Sequence, residues 1–263
     1  MKITTPIKIF IGYARKDNSY LQALKSHLAP LEKKGDIKIW YDGDITAGQK
    51  WESNIKHNLA TADIILLLIS SDSLNSDYFY DKEMADALRR NEQKEAVVIP
   101  IIVRNVSWED TPISNLQALP QDGKAIKQWA DEDDAYYSVV TGIKTAIEKL
   151  LSDRQIRLKE LKTQMADLID NEHLAKADEL LQQALALNIP DAELTDLEKT
   201  LLEKERAKKL PALEELLNSM LMIEAGGFDM GSMDSDHTKP VHKVRLDQFT
   251  MSKYLITQEQ WAK

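Results

Sequence analysis

Over roughly the first 150 residues the hydrophobic pattern switches repeatedly between short apolar runs and helical spacing. Residues 7–11 read as a short strand, followed by the polar segment YARKD. Leu21, Leu24, Leu28 and Leu31 then recur three and four residues apart, which predicts a helix over residues 18–31. A second strand is expected at residues 37–41, ending at Asp42 and Gly43, and a helix at residues 51–60 with Trp51, Ile55 and Leu59 on one face. Residues 64–69 are apolar without alternation, as a strand covered on both faces should be, and residues 97–103 repeat that signature. Between them a helix over residues 76–91 carries Met84, Ala87 and Leu88 inward. Residues 126–129 are expected as a fifth, short strand and residues 136–151 as a closing helix. Five strands separated by helices predict an α/β fold with a doubly wound parallel sheet. Ligands of such sheets bind beyond the carboxyl ends of the strands. That rule marks residues 13–17, residues 42–51, and the segment from Ser70 onward.

The pattern changes at about Ser152. Residues 152–219 hold no glycine and no strand-like run. They read as two helices with a break near residues 171–173, then a helix opened by Pro190 and another opened by Pro211. No second copy at a fixed period is present, so the segment is expected to be a helical linker or oligomerisation arm with a solvated charged face. From residue 220 onward glycines, Pro240 and two β-rich stretches, residues 241–246 and 249–255, predict the start of an irregular β-rich module. Some 45 residues are too few for an independent core, so the chain is expected to end inside a domain. The expected domains are therefore residues 1–151, 152–219 and 220–263.

Composition narrows the function classes. With 43 acidic and 34 basic residues the formal net charge is -9, which argues against nucleic acid as a partner. The absence of cysteine excludes disulfides, thiol catalysis and Cys-ligated metals in this sequence. The apolar runs at residues 64–69 and 96–103 are too short to span a bilayer, and MKITTPIKIF lacks a continuous apolar signal stretch. A soluble, cytoplasmic protein with no membrane contact is the expectation. His237 and His242, near Asp234 and Asp236, fit no strong ligand spacing, so no metal is expected. His27, His57 and His173 stand alone on helices.

The segment with the clearest chemical content is SDSLNSDYFYDKEMADALRR, residues 71–90. Glu83 lies early in a helix that starts at the ligand-side edge of the sheet. A lone helical glutamate is ordinarily solvated surface. Here Tyr78 and Phe79 can shield it, and Ser70, Ser71 and Ser76 can donate hydrogen bonds nearby.

Three segments resemble the bacterial-type Toll/interleukin receptor (TIR) domain. They are KIFIGYARKD at 8–17, IWYDGDITAGQKWESNI at 39–55, and LATADIILLLISSDSLNSDYFYDKEM at 59–84. The resemblance implies a flavodoxin-like five-stranded sheet and cleavage of the nicotinamide–ribose bond of NAD, with Glu83 as the catalytic carboxylate. Most glycosidases need a general acid to protonate the leaving oxygen. Nicotinamide leaves a pyridinium as a neutral molecule, so one carboxylate facing the developing ribosyl cation suffices. The resemblance further implies substrate contacts from Tyr13, Arg15, Asp42, Trp51, Ser70, Ser71 and Tyr78. Three of these have equal or competing structural roles: Arg15 as an ion-pair partner of Asp17, Trp51 as a core anchor of its helix, and Ser70 as a helix cap. No glycine-rich phosphate loop follows any strand, so NAD is expected as a substrate and no cofactor is expected. Family members generally act after self-association of their TIR domains, and the layout resembles prokaryotic antiviral effectors.

IEAGGFDMGS and KPVHKVRLDQFTMSKYLITQEQWAK resemble the opening of the formylglycine-generating-enzyme/sulfatase-modifying module, through Gly226, Gly227, Gly231, Pro240, Phe249 and the Ile256–Thr257 pair. The oxidase chemistry of that family depends on cysteines, which this sequence lacks. What the resemblance implies is a binding surface for a trigger ligand or protein. Two other function classes compete with an NAD-cleaving enzyme. One is a non-catalytic TIR scaffold, which has no need of a carboxylate at Glu83. The other is a nucleotide receptor that would return its ligand unchanged.

Overall fold

The computed structural model of the chain describes residues 5–44, 51–231 and 241–253. It forms two compact units, residues 1–160 with 184–190, and residues 161–183 with 191–263.

In the first unit four parallel strands, β1 (Ile7–Gly12), β2 (Ile37–Trp40), β3 (Ile64–Ile69) and β4 (Val97–Ile102), pair in the order β2-β1-β3-β4. β3 sits in the interior of the sheet and every one of its residues is buried. Its side chains alternate between two cores, as the two-residue period of a strand requires. Ile64, Leu66 and Leu68 join Leu21, Leu24 and Leu28 of α1 (Asn18–Lys34) and Val139 and Ile143 of α5 (Glu132–Asp170). Ile65, Leu67 and Ile69 join Ile55 and Leu59 of α2 (Trp51–Thr61), then Met84 and Ala87 around the start of α4 (Ala85–Glu92). The sheet is thus covered on both faces, which is why the apolar run of β3 lacks alternation in sequence.

The expected fifth strand is absent among the described residues. Residues 126–129 contain instead the 3-10 turn Ile126–Gln128. The place beside β4 is taken by Leu119 alone, whose N–H donates to Pro100 O (2.8 Å) and whose carbonyl accepts from Ile102 N (2.8 Å). Pro100 has no N–H with which to lengthen that ladder, and Pro120 follows Leu119 directly, so the pairing stops after one residue. The closing helix also differs from expectation. α5 runs for 39 residues without a break at residue 151. Arg154 on this helix is ion-paired with Asp63, which precedes β3.

In the second unit Leu161, Met165 and Ile169 of α5, Leu174, Ala177 and Leu181 of α6 (Leu174–Ala186), and Leu194 and Leu201 of α7 (Ala192–Asn218) are buried. The break near residues 171–173 is a turn in which Glu172 adopts φ 60° and His173 N donates to Leu168 O. Asp191 caps α7 by accepting from Leu194 N, and it also pairs with Lys162. Pro211 lies inside the 27-residue α7 and opens no separate helix. A proline removes one N–H from a helix, and this helix continues past the loss. Beyond α7, β5 (Met220–Ile223) pairs antiparallel with β8 (Phe249–Ser252), and β6 (Gly226–Met230) with β7 (His242–Leu246). Asp234, Asp236, His237, Pro240 and the Ile256–Thr257 pair lie outside the described residues.

Candidate functional site

A cleft of about 410 Å³ opens where the loops after β1 and β3 meet. This is the carboxyl edge of a parallel sheet, the position general to ligand sites in such folds. Glu83 forms its buried wall. The residue lies in a π-helical turn, Phe79–Met84, that leads into α4, and it is only 7% exposed. Wide turns of this kind concentrate at functional sites because they re-aim a side chain within an otherwise regular helix.

Among the described residues, the influences on the Glu83 carboxylate are burial and the charge of Asp42, with no hydrogen bond. Burial, followed by the charge of Asp42, pushes its carboxyl up to about 8. The close seat of Glu83 against the sheet depends on Gly12 at the end of β1. A Cβ at that position would lie 3.0 Å from Glu83 Oε2 and 3.1 Å from Leu67 Cδ2.

Asp42 faces the same space from the short helical turn Asp42–Asp44 after β2. Its Oδ1 is buried without a partner among the described residues. Tyr13, the first residue past β1, lies beside Asp42; burial first, and that neighbouring carboxylate second, raise the phenol above its ordinary range. Tyr13 lies 6.5 Å from Tyr41, centroid to centroid, and Lys25 sits 3.8 Å from the Tyr41 ring centre. Tyr78 and Phe79 close the cleft beside Glu83, and burial, then the Glu83 charge, push the Tyr78 phenol up to about 12. Arg15 and Lys16 provide cations on the exposed wall.

The family model described as TIR domain matches residues 9–140. The chain belongs to the TIR domain family. A second model, the Sulfatase-modifying factor enzyme 1-like domain, matches residues 206–263. An uncharacterized protein, y4lF, of Sinorhizobium fredii is 41% identical over 138 residues, which are 52% of this chain and 43% of that protein. The chain thus matches less than half the length of that relative. Among solved structures, the TIR domain of the Toll-related receptor TRR-2 from Hydra magnipapillata is 20% identical, with a TM-score of 0.37, over 52% of this chain and 97% of its own. The TIR domains of the activated Roq1 resistosome are 16% identical, with a TM-score of 0.32, over 76% of this chain and 98% of their own.

Within the TIR domain, Tyr13, Arg15, Asp42, Tyr78 and Glu83 share the cleft. Ser70 and Ser71 do not line it. Ser70 is fully buried and serves as the cap of α3 (Ser71–Leu74), accepting from the N–H groups of Asp72 and Ser73. Its hydroxyl donates to Asp17 (2.5 Å), so it supplies no bond to Glu83. Ser71 is exposed at the first position of α3. Arg15 does not pair with Asp17, whose carboxylate is fully buried and taken by Arg104 and Ser70. Trp51 opens α2, but its side chain lies outside the described residues, as do residues 45–50 before it.

Sequence reasoning missed Arg104. This residue follows β4 and donates Nε (3.0 Å) and Nη2 (2.7 Å) to Asp17 Oδ1, and Nη2 to Ser70 Oγ (3.1 Å) and Asp72 Oδ2 (2.5 Å). One guanidinium therefore ties the chain after β1, β3 and β4 together immediately behind the cleft. The available signal was an arginine directly after a fully apolar strand, where the topology rule places ligand-side loops.

No described helix is long and apolar enough to cross a membrane.

Proposed function

We propose that the TIR domain cleaves the nicotinamide–ribose bond of NAD, with Glu83 as the catalytic carboxylate. The observation that carries this assignment is the buried Glu83 carboxylate, without a hydrogen-bond partner among the described residues, at the inner wall of a cleft whose outer wall is cationic. A structural glutamate so placed would be paired or solvated. This one is instead available to a ligand that brings a positive charge and hydroxyl donors.

A ribosyl pyridinium supplies both. Its cation favours the ionised carboxylate that burial and Asp42 disfavour in the empty cleft. The bond from the ribose C1′ to the ring nitrogen breaks, its electron pair stays on that nitrogen, and nicotinamide departs neutral. Glu83 stabilises the ribosyl cation, and water or an internal nucleophile captures it. Tyr13 lies beside Asp42, and Tyr78 and Phe79 exclude water from the reacting face. Self-association is proposed to bring the site to competence, and the C-terminal module to respond to a trigger. A place in prokaryotic antiviral defence is proposed from the domain layout.

The test is nicotinamide release from NAD by the full chain at high concentration, with the ADP-ribose products identified. Wild type releases nicotinamide and Glu83→Ala does not. Silence from both, repeated after forced clustering through a fused oligomeriser, overturns the assignment and leaves a TIR scaffold.

A further inference from the structure

We propose that Lys16 is a binding residue for the diphosphate of a dinucleotide, resting on Asp72 in the empty cleft and transferring to phosphate when the ligand enters. The proposal rests on the dinucleotide assignment above and adds to it the residue that takes the anionic half.

Lys16 lies on the short turn after β1, its side chain 78% exposed, and its Nζ meets Asp72 Oδ1 at 2.7 Å across the cleft wall. Asp72 does not depend on that contact. Its other oxygen is held at 2.5 Å by Arg104, which is anchored from behind on the fully buried Asp17. When Lys16 leaves, Asp72 keeps a cationic partner and its place at the head of α3. Solvated lysine–carboxylate pairs contribute little, so the ammonium is released at small cost. Its long stem lets it swing while the backbone of the turn stays fixed.

The charge pattern of the cleft sets what Lys16 would meet. The buried wall carries the carboxylates of Glu83 and Asp42, which repel phosphate and attract a cation. The exposed wall carries Arg15 and Lys16, adjacent in sequence and free of other acidic partners among the described residues once Asp72 is committed to Arg104. Such a cleft orients a molecule with a pyridinium at one end and a diphosphate next to it. Two adjacent cations match the two charges of a diphosphate.

Calorimetric titration of the full chain with ADP-ribose, which has the diphosphate but no scissile nicotinamide, tests the proposal. Lys16→Gln should weaken binding about tenfold, the scale of one charge-assisted hydrogen bond. It should leave the unfolding temperature unchanged, because the side chain is exposed. Asp72→Asn keeps an acceptor for Arg104 but loosens its hold on Lys16, and it should tighten binding roughly threefold by removing one weak competing pair. That gain should vanish in the Lys16→Gln, Asp72→Asn double variant, since it acts through Lys16. Equal affinity of wild type and Lys16→Gln overturns the proposal. So does a gain that persists in the double variant, which would make Asp72 a simple repeller of phosphate. Absence of ADP-ribose binding by wild type, together with no nicotinamide release after forced clustering, is the separate outcome in which the dinucleotide assignment itself fails.

Discussion

Glu83 is costly to the fold when ionised, and the cost has a defined dependence on pH. Its folded value, pushed up to about 8, lies above the ordinary glutamate value of 4.5. A carboxyl raised on folding contributes its full stability below the unfolded value and loses it as pH rises through the folded value. The window therefore runs from about pH 4.5 to about pH 8. Gln cannot ionise and keeps the shape of the protonated acid. Glu83→Gln should accordingly be close to wild type at pH 5 and more stable at pH 9, by on the order of a few kcal/mol, in denaturant titrations at the two pH values. A stability difference independent of pH would mean that the carboxylate is solvated or paired. Gly12 belongs to the same residue-scale picture, because its missing Cβ is what admits the carboxylate so close to the strand.

At the scale of elements, the loops around the cleft are tied by a polar knot in addition to the apolar packing of residues such as Phe79 and Val103. Arg104, Asp17, Ser70 and Asp72 link three segments that follow three neighbouring strands. Removing one member of a buried pair leaves an uncompensated charge, and Asp17 is fully buried. Arg104→Ala should lose about 3–5 kcal/mol in chemical denaturation, and Asp17→Asn in the same background should recover part of that loss. Full additivity of the two substitutions would show that the pair is not coupled.

This knot was not legible in the sequence, because its members are 87 residues apart at the extreme and belong to no short motif. β3, by contrast, was legible to its end residues, since burial on both faces forces an unbroken apolar run. The family resemblance singled out Glu83, and the approach of the loops after β1 and β3 followed from topology. The fifth strand failed because residues 126–129 look strand-like in isolation, while the residue that bridges to β4 is Leu119. Ser70 was ambiguous for a related reason. Capping and ligand contact call for the same hydroxyl in the same place.

At the scale of the whole molecule, the proposed dependence on self-association has a kinetic signature. Nicotinamide release per molecule should rise with protein concentration and fall on dilution below the association range, measured as initial rate divided by protein concentration. A specific rate that is flat over a hundredfold range would place all catalytic parts in one chain.

The single-residue pairing at Leu119 restricts how such an assembly can be built. A bare outer strand is an invitation for a neighbouring chain to continue the sheet. Here that margin is largely spoiled: Leu119 already occupies its one bridge, and Pro100 offers a second molecule no donor. Copies of this domain cannot fuse their sheets into a common ribbon through the β4 side. On that side an assembly has to be joined through helices and loops, whose contacts can be made and broken without remodelling the strands.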